Sequence, residues 1–329
     1  MSIINIAIIG VTGFTGIETL RVLLTHPLAK VINIVGNSHA GKNIAELYPA
    51  LSHYNLPKIQ KLEDIDLDLI DCIFTCLPHG MSQVVIMDIL NKKPTLKVID
   101  LSADFRLPVQ IYEKVYSKHL APELQDKSCY GLSELFSKEI AKAQIISCPG
   151  CFPTSSLLPL IPLKQCIDGN IIIDSKTGLT GAGRSSNYEF SFTNTSESIK
   201  AYHPHQHRHR FEIAHYLGKN VRFTPHIVPV IRGIETSIYF NSSHNCLKIL
   251  QEFYKDTQFV KICNTIPSTK EVLATNICAI YIEQDGNEVF ISSVIDNIAK
   301  GSSMQAIQNM NIAFGFPEET GLIFTPIIP

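Results

Sequence analysis

The sequence has few charged residues and almost no net charge. Charged side chains make up 18% of the 329 residues, and 28 Lys and Arg against 30 Asp and Glu leave a formal charge of −2. A protein that binds nucleic acid or an anionic membrane usually carries a basic patch or a basic helix face. The balance of charges therefore disfavours both kinds of partner.

Long apolar runs and a dense set of cysteines are missing as well. The most apolar internal stretch, residues 157–163, is interrupted by Pro159 and Pro162 and is far shorter than the ~18 residues that a membrane span needs. The nine cysteines are scattered and odd in number, which is typical of free thiols in a reducing compartment. The first strand follows no basic segment with a cleavage site, so we expect a soluble, cytoplasmic protein.

The length and apolar content predict two domains. At about 150 residues per domain, 329 residues correspond to two, and an apolar content of 45% is enough for a core in each. In residues 1–147, strand-like and helix-like patterns alternate, which predicts an α/β domain with a doubly wound parallel sheet. The strand-like runs are residues 3–9, 31–35, 71–76 and 97–100. Ligands of such sheets bind at the carboxyl ends of the strands.

Residues 148–301 have a different pattern. One short apolar helix is followed by β-rich runs with fewer helices between them, which predicts an α+β domain with a mixed or antiparallel sheet. Residues 302–314 have apolar side chains at helical spacing. We expect a C-terminal helix within about 302–329 to pack back on the first domain.

A glycine-rich turn follows the first predicted strand and opens a helix. It consists of Gly10, Thr12, Gly13, Phe14, Thr15 and Gly16, with Val11 between the first two. Glycines at such a turn let the backbone approach a pyrophosphate, which binds to the N–H groups of the helix N-terminus. The spacing is G-x-x-G-x-x-G and not the commoner G-x-G-x-x-G. We interpret it as a dinucleotide-binding turn, with a purely structural turn as the alternative.

The loop after the second strand favours NADP over NAD. An NAD enzyme usually has an acidic residue here that binds the ribose hydroxyl, whereas residues 36–42 contain none. Ser38, His39 and Lys42 are instead suited to a 2′-phosphate, although an ordinary polar loop is an equal alternative.

Three further loops carry candidate binding residues. The strand-like run 71–76 is followed by Leu77, Pro78 and His79, and the loop after the next strand-like run, 97–100, contains Arg106. Gly181 and Arg184 belong to a Gly-rich loop after a later strand, for which a flexible hairpin is the alternative. The guanidinium groups are candidates for binding carboxylate or phosphate, which they hold with two parallel hydrogen bonds.

Cys151 is the candidate nucleophile. It stands at the start of an apolar helix, where the helix dipole lowers a thiol pKa and favours the reactive thiolate. Cys148 completes a Cys-x-x-Cys pattern, so a redox pair, half of a zinc site or an inert buried thiol are alternatives. The second pair that zinc needs is missing. Oxidation to a Cys148–Cys151 disulfide that switches the protein off is a further hypothesis.

Residues 203–209 contain four histidines. If the tract is extended, alternate imidazoles share a face, which is compatible with a metal site. Ligand partners at suitable spacing are not evident, so we expect no metal. The preferred interpretation is acid–base chemistry beside Cys151, with Glu212 orienting an imidazole ring.

Taken in order, these motifs resemble the N-acetyl-γ-glutamyl-phosphate reductase family over essentially the whole chain. The matching segments are residues 13–16, 77–80, 102–106, 149–154, 181–184, 207–213 and 296–306. The resemblance implies an NADPH-binding Rossmann domain in residues 1–147, a glyceraldehyde-phosphate-dehydrogenase-like catalytic and oligomerisation domain in residues 148–301, and a homo-oligomer, either a dimer or a tetramer. It also implies that Cys151 is the nucleophile, that His209 is the acid–base with His207 close by, and that Asn297 lies near the nicotinamide.

The implied reaction is the NADPH-dependent reductive dephosphorylation of N-acetyl-L-glutamyl 5-phosphate to the 5-semialdehyde through a cysteine thioester, a step of arginine biosynthesis. Arg106, Arg184, Arg208 and Glu212 are then the candidates for binding the substrate. The alternatives are an acyl-phosphate reductase like aspartate-semialdehyde dehydrogenase, a Cys–His hydrolase, and a nucleotide-binding protein without catalysis.

Overall fold

The computed structural model of the protein describes residues 2–184 and 191–328. Its internal contacts divide the chain into two compact units, Met1–Pro149 with Ser303–Leu322 and Gly150–Ser302 with Ile323–Pro329. The sequence placed the boundary two residues earlier, between 147 and 148. No helix among the described residues is long and apolar enough to cross a membrane.

The first unit is built on six strands. They are β1 (Ile4–Ile9), β2 (Ala29–Val35), β3 (Cys72–Thr75), β4 (Lys97–Asp100), β5 (Ser128–Tyr130) and β6 (Ile145–Ser147). Helices α1 (Phe14–Leu23), α2 (Ser82–Lys92), α3 (Val109–Val115) and α4 (Ser133–Ile140) lie between them in the chain. The strands pair in the order β2-β1-β3-β4-β6-β5, and every pair is parallel.

The two central strands β1 and β3 are almost entirely apolar and buried, as expected where helices and loops cover both faces of a sheet. All four residues of β3 are buried, and so are five of the six in β1. Parallel sheets covered on both sides are typically continuous apolar runs rather than alternating ones. Ile86 of α2 packs into the same core as Ile73 and Val98. The predicted doubly wound α/β sheet is confirmed.

The strand order also fixes the place of a ligand. From β1 the chain passes to β2 on one side and later to β3 on the other. Open α/β sheets bind ligands in the crevice where the direction of winding changes, at the carboxyl ends of the strands. In this unit that position lies beyond β1 and β3.

The second unit holds a seven-stranded mixed sheet. Its strands are β7 (Asp168–Thr177), β8 (Lys200–Ala201), β9 (Val221–Ile227), β10 (Ile234–Asn241), β11 (Val260–Cys263), β12 (Cys278–Asp285) and β13 (Glu288–Ile295), in the order β11-β12-β13-β10-β7-β9-β8. Its helices are α5 (Cys151–Leu160), α6 (Phe192–Thr195), α7 (Arg208–Leu217) and α8 (Cys246–Tyr254). Helix α5 packs against α7, β10 and β13. The predicted α+β class is confirmed.

The last helix, α9 (Met304–Ala313), packs against α1, α4 and β4 of the first unit. It is shorter than the predicted span of about 302–329. Gly315 adopts a left-handed conformation with φ 69°, and its N–H and that of Phe316 donate to the carbonyls of Ile312 and Asn311. This pair of hydrogen bonds ends a helix. The final segment, Ile323–Pro329, belongs to the second unit instead.

Candidate active site

Cys151 is the first residue of α5, where the thiol is partly exposed. Gly150 precedes it in an extended conformation, and no side-chain hydrogen bond from this N-cap residue closes the helix. A helix leaves the N–H groups of its first turn without acceptors inside the helix, and they carry a partial positive charge. These groups stabilise a thiolate at the Cys151 position.

Helix α7 brings two side chains to Gly150. The buried Glu212 accepts a hydrogen bond from the Gly150 N–H at 2.9 Å. A Cβ atom built on Gly150 would lie 2.5 Å from Nε2 of His209. The imidazole of His209 therefore rests directly on the backbone next to Cys151, and only glycine leaves room for it.

His207 is the N-cap residue of α7. Its Nδ1 accepts a hydrogen bond from the backbone N–H of His209 at 3.2 Å. Burial, helped by the nearby His203 and Arg208, lowers the pKa of His207 to about 4. An accepting Nδ1 and a low pKa both mean that His207 is neutral near pH 7 and carries its hydrogen on Nε2. The resemblance implied that His209 is the acid–base with His207 close by, and the structure gives the two histidines different environments.

Aromatic rings surround the two histidines. The ring of Phe152 lies 5.8 Å from that of His209, edge to face, and Tyr202 contacts His207 in the same way at 5.4 Å. Burial raises the pKa of Tyr202, and the charge of Cys151 raises it further. The Tyr202 phenol therefore keeps its proton. No motif in the sequence indicated Tyr202, because its place beside Cys151 depends on tertiary packing.

A second segment lies against Cys151. The turn Ala299–Ser303 is a short π-helix, a feature that is frequent at functional sites. Within it, the N–H of Gly301 donates to the carbonyl of Asp296 at 2.9 Å. A Cβ atom on Gly301 would lie 2.8 Å from Cβ of Cys151, so this backbone forms one wall of the thiol site.

Asn297, a predicted cofactor contact, is buried and holds two loops of the second unit together. Its Oδ1 accepts from the Gly233 N–H at 2.7 Å, and its Nδ2 donates to Oγ1 of Thr180 at 3.0 Å. Gly181 follows Thr180, and a Cβ atom on it would lie 3.7 Å from Nδ2 of Asn297. The structure thus brings Gly181 and Asn297 together. Residues 185–190, which follow this Gly-rich loop, lie outside the described residues.

The glycine-rich turn of the first unit lies against the end of β3. Gly10 has φ 83°, and a Cβ atom on it would lie 2.4 Å from the carbonyl oxygen of Cys76. A Cβ atom on Gly16 would lie 2.3 Å from the carbonyl oxygen of Gly10. Gly13, the N-cap residue of α1, makes no side-chain cap. Thr12, Phe14 and Thr15, on either side of this N-cap residue, are half-buried, and the N-terminus of a helix is a favourable position for an anion.

The two loops beside this turn also carry predicted residues. After β2, the exposed Ser38 lies with its Oγ 2.9 Å from Nδ1 of His39. After β3, Leu77 is half-buried, and Pro78 and His79 are exposed. All of these residues follow the carboxyl ends of β2 and β3.

The predicted substrate-binding arginines are in different environments. Arg106 is 5% exposed, and it donates from Nε to the carbonyl of Cys148 at 2.6 Å and from a terminal nitrogen to that of Leu101 at 3.0 Å. Its guanidinium therefore supports the backbone of the first unit. Arg184 and Arg208 belong to the second unit and are exposed.

Cys148, the candidate redox partner of Cys151, has a buried thiol. Its sulfur accepts from Nδ2 of Asn309 at 3.6 Å. Burial raises the pKa of Cys148, which disfavours the thiolate that disulfide exchange needs. All nine cysteines are free thiols. Across residues 2–184 and 191–328, no three His, Cys, Asp or Glu side chains are grouped so that they hold a metal ion.

Comparison with known families agrees with this fold. The family model for the semialdehyde dehydrogenase NAD binding domain matches residues 5–143, and that for the semialdehyde dehydrogenase dimerisation domain matches residues 151–297. Aspartate semialdehyde dehydrogenase II from Vibrio cholerae has the same fold, with a TM-score of 0.76 at 14% identity over 96% of this chain and 99% of that one. The protein is thus of the semialdehyde dehydrogenase class.

Curated relatives define the family more closely. The N-acetyl-gamma-glutamyl-phosphate reductase of Sulfurimonas denitrificans is 40% identical, with 100% of both chains covered. That of Caldicellulosiruptor bescii is 41% identical over 97% of this chain and 98% of the relative. The chain belongs to the N-acetyl-gamma-glutamyl-phosphate reductase family, and the resemblance found in the sequence is confirmed.

Proposed function

We propose that the protein reduces N-acetyl-L-glutamyl 5-phosphate to N-acetyl-L-glutamate 5-semialdehyde with NADPH and releases phosphate, as a cytoplasmic enzyme of arginine biosynthesis. The observation that carries this proposal is Cys151 as the first residue of α5, with His209 packed on Gly150 one residue before it. Full-length identity of 40% to a relative named for this activity supports the choice of substrate.

The first unit is the cofactor domain in this proposal. The turn from Gly10 to Gly16 receives the pyrophosphate at the N-terminus of α1. Ser38 and His39 receive the 2′-phosphate, since residues 36–42 contain no acid that would repel it. When bound, NADPH supplies the hydride that reduces the acyl group. Asn297 and Gly181 of the second unit are proposed contacts near the nicotinamide.

Cys151 carries the acyl group. An acyl phosphate is already activated, so its thiolate attacks the carbonyl carbon, the C–O bond to phosphate breaks, and a thioester remains. The N–H groups at the start of α5 hold the negative charge that develops on the carbonyl oxygen. Reduction of the thioester gives a thiohemiacetal, from which the semialdehyde leaves as Cys151 regains its thiolate.

His209 is the proposed acid–base, and His207 is not. His209 lies beside the reacting sulfur, on the Gly150 backbone, and it gives a proton to the thiohemiacetal oxygen and takes it back as the aldehyde forms. His207 is neutral and its Nδ1 already accepts from the α7 backbone. In this proposal it supports His209 and takes no part in the proton transfer itself.

The contacts of two predicted substrate residues support a positioning role in this proposal. Glu212 accepts the Gly150 N–H and is proposed to position the start of α5, not to bind substrate. Arg106 supports the backbone at Cys148. The exposed Arg208 and Arg184 remain the proposed ligands of the substrate's phosphate and carboxylate.

We further propose a homo-oligomer, a dimer or a tetramer, formed through the outer face of the seven-stranded sheet. Ile172 and Tyr239 face outward from neighbouring strands and are 43% and 46% exposed. The ring of Phe290 lies 5.3 Å from that of Tyr239. Adjacent apolar side chains on a sheet face are typical of a subunit interface.

The test is the reaction in reverse. N-acetylglutamate semialdehyde, phosphate and NADP⁺ are mixed with the protein, and formation of the reduced nicotinamide is followed by absorbance. We expect phosphate-dependent reduction with this substrate and none with aspartate semialdehyde. Activity with aspartate semialdehyde alone would assign the protein to the other substrate, and no activity with either would contradict the proposal.

A further inference from the structure

Helix α2 is capped by a residue from a distant loop. Its own N-cap residue, Met81, makes no side-chain hydrogen bond. Asp104 supplies the cap instead: one carboxylate oxygen accepts from the Gly80 N–H at 2.7 Å, and the other accepts from the Ser82 N–H at 3.0 Å, 22 positions away in the chain. A carboxylate at a helix N-terminus is also favoured by the helix dipole.

The carboxylate of Asp104 is held in one orientation. It is fully buried, and the phenol of Tyr112 donates to Oδ1 at 3.0 Å. The backbone N–H of Asp104 donates to Oγ of Ser102 at 3.1 Å, and Nε2 of His119 lies 2.8 Å from its carbonyl oxygen. The loop after β4 is therefore a rigid support for the loop after β3.

A second contact between the same two loops fixes His79. The N–H of Ala103 donates to Nδ1 of His79 at 3.0 Å. Because Nδ1 accepts, the neutral ring carries its hydrogen on Nε2, and the side chain is exposed. The ring also lies edge to face with Tyr116, at 5.7 Å. The imidazole ring of His79 is thus held in a fixed position.

This loop is part of the crevice that the strand order defines. It begins where β3 ends, and the turn at Gly10 lies against the carbonyl of Cys76. The Gly10 turn and residues 77–80 follow β1 and β3, whose carboxyl ends border the same crevice. A dinucleotide bound at the Gly10 turn therefore lies next to residues 77–80. The main effect of displacing this loop is therefore on the binding of the cofactor, and not on the chemistry at Cys151.

We propose that Asp104 is a positioning residue for cofactor binding, which holds the loop of residues 77–82 so that His79 and its neighbours meet the dinucleotide. This inference rests on the proposed function, because it takes NADPH as the ligand of the crevice. Asp104 itself is buried and acts only through the loop.

The test replaces Asp104 by the isosteric asparagine. Asp104→Asn leaves one acceptor for two backbone N–H groups, so one of them loses its partner and the loop shifts. We expect the Kd of NADPH, measured by fluorescence of the reduced nicotinamide, to rise about tenfold. The KM for NADPH rises in parallel, while kcat at saturating NADPH and the KM for the acyl phosphate stay within about twofold.

Two Tyr→Phe variants sharpen the test. Tyr112→Phe removes the phenol that holds the Asp104 carboxylate but leaves both backbone bonds, so the Kd of NADPH rises about threefold. This milder change carries the test if Asp104→Asn does not fold. Tyr254→Phe is the matched control, because that buried phenol donates to the Leu158 carbonyl in the second unit. It lowers stability and leaves the Kd unchanged.

The possible failures are distinct. A folded Asp104→Asn variant that binds NADPH as tightly as the wild type would overturn this proposal alone. A fall in kcat with an unchanged KM for NADPH would do the same. If the wild-type protein itself does not bind NADPH, the proposed function fails, and the inference fails with it.

Discussion

The starts of α2 and α5 differ in what faces their first turns. The carboxylate of Asp104 covers the first turn of α2 and makes it part of the scaffold. Near the start of α5, the acid Glu212 accepts a hydrogen bond from the N–H of Gly150, which lies just outside the helix. The first residue of α5 is Cys151. A helix N-terminus capped by a buried carboxylate is part of the scaffold. A thiol at a helix N-terminus is favoured as the thiolate, which suits it to nucleophilic catalysis.

The largest effect on turnover is expected from a substitution of Cys151, at the start of α5. Cys151→Ala removes the group that forms the thioester, and we expect reduction of the acyl phosphate to fall by more than about four orders of magnitude. NADPH binding should stay at the wild-type level, as measured by fluorescence. Substantial turnover in this variant would end the covalent scheme.

The next effect separates the two histidines of α7. His209→Asn removes the proposed acid–base and should lower kcat by about 10²–10³-fold. His207→Asn keeps an acceptor at the N-cap position, where asparagine is favoured, and should lower kcat by less than about tenfold. Steady-state kinetics at saturating substrates decide this, and equal losses in the two variants would contradict the distinction.

A smaller loss is expected when the space beside Cys151 is filled. Gly150→Ala places a Cβ atom 2.5 Å from Nε2 of His209, so the ring or the helix start must move, and kcat should fall about 100-fold. Gly169→Ala is the matched control: its surroundings are open, and its positive φ of 70° costs stability only. A Gly150→Ala variant with normal kcat would show that His209 is not held by this contact.

The smallest effect concerns stability against pH. The pKa of His207 is lowered in the folded state to about 4, below its ordinary value of 6.5, so the unfolded chain binds the proton more readily. The contribution of neutral His207 to the free energy of unfolding is complete above pH 6.5 and is lost as the pH falls towards 4. Between pH 7 and 5 we expect the free energy of unfolding to fall by about 2 kcal/mol more in the wild type than in His207→Asn. Urea unfolding at both pH values measures this, and parallel curves for the two proteins would contradict it.

The fold was largely predictable because its signals are local. The apolar run of β1 and the glycines from Gly10 to Gly16 are adjacent in the chain, so a parallel strand and its phosphate-binding turn follow from spacing alone. The position of Cys151 at a helix start was predictable for the same reason. The extent of α9 was overestimated, because the helix stops at Gly315, whose left-handed backbone ends it two residues before Pro317.

The contacts that distinguish roles within the site were not predictable. His207 and His209 are alternate members of one histidine tract, so spacing does not separate them. Only the packing of α7 against α5 shows which of the two lies on Gly150. Arg106 has the chemistry of an anion ligand, and its guanidinium donates to the backbone carbonyls of Cys148 and Leu101. Asp104 and Gly80 are 24 positions apart. Such partners are set by tertiary structure and leave no periodic trace in the sequence.

The most direct test of the central claim, that Cys151 at the start of α5 carries the acyl group, is intact-mass spectrometry of the protein mixed with N-acetylglutamyl phosphate and no NADPH. We predict a mass increase of one N-acetylglutamyl group, located on the peptide that contains Cys151, absent from Cys151→Ala and lost when NADPH is added. An unmodified wild-type protein that nevertheless turns over with NADPH, or an adduct on another residue that NADPH discharges, would contradict the account.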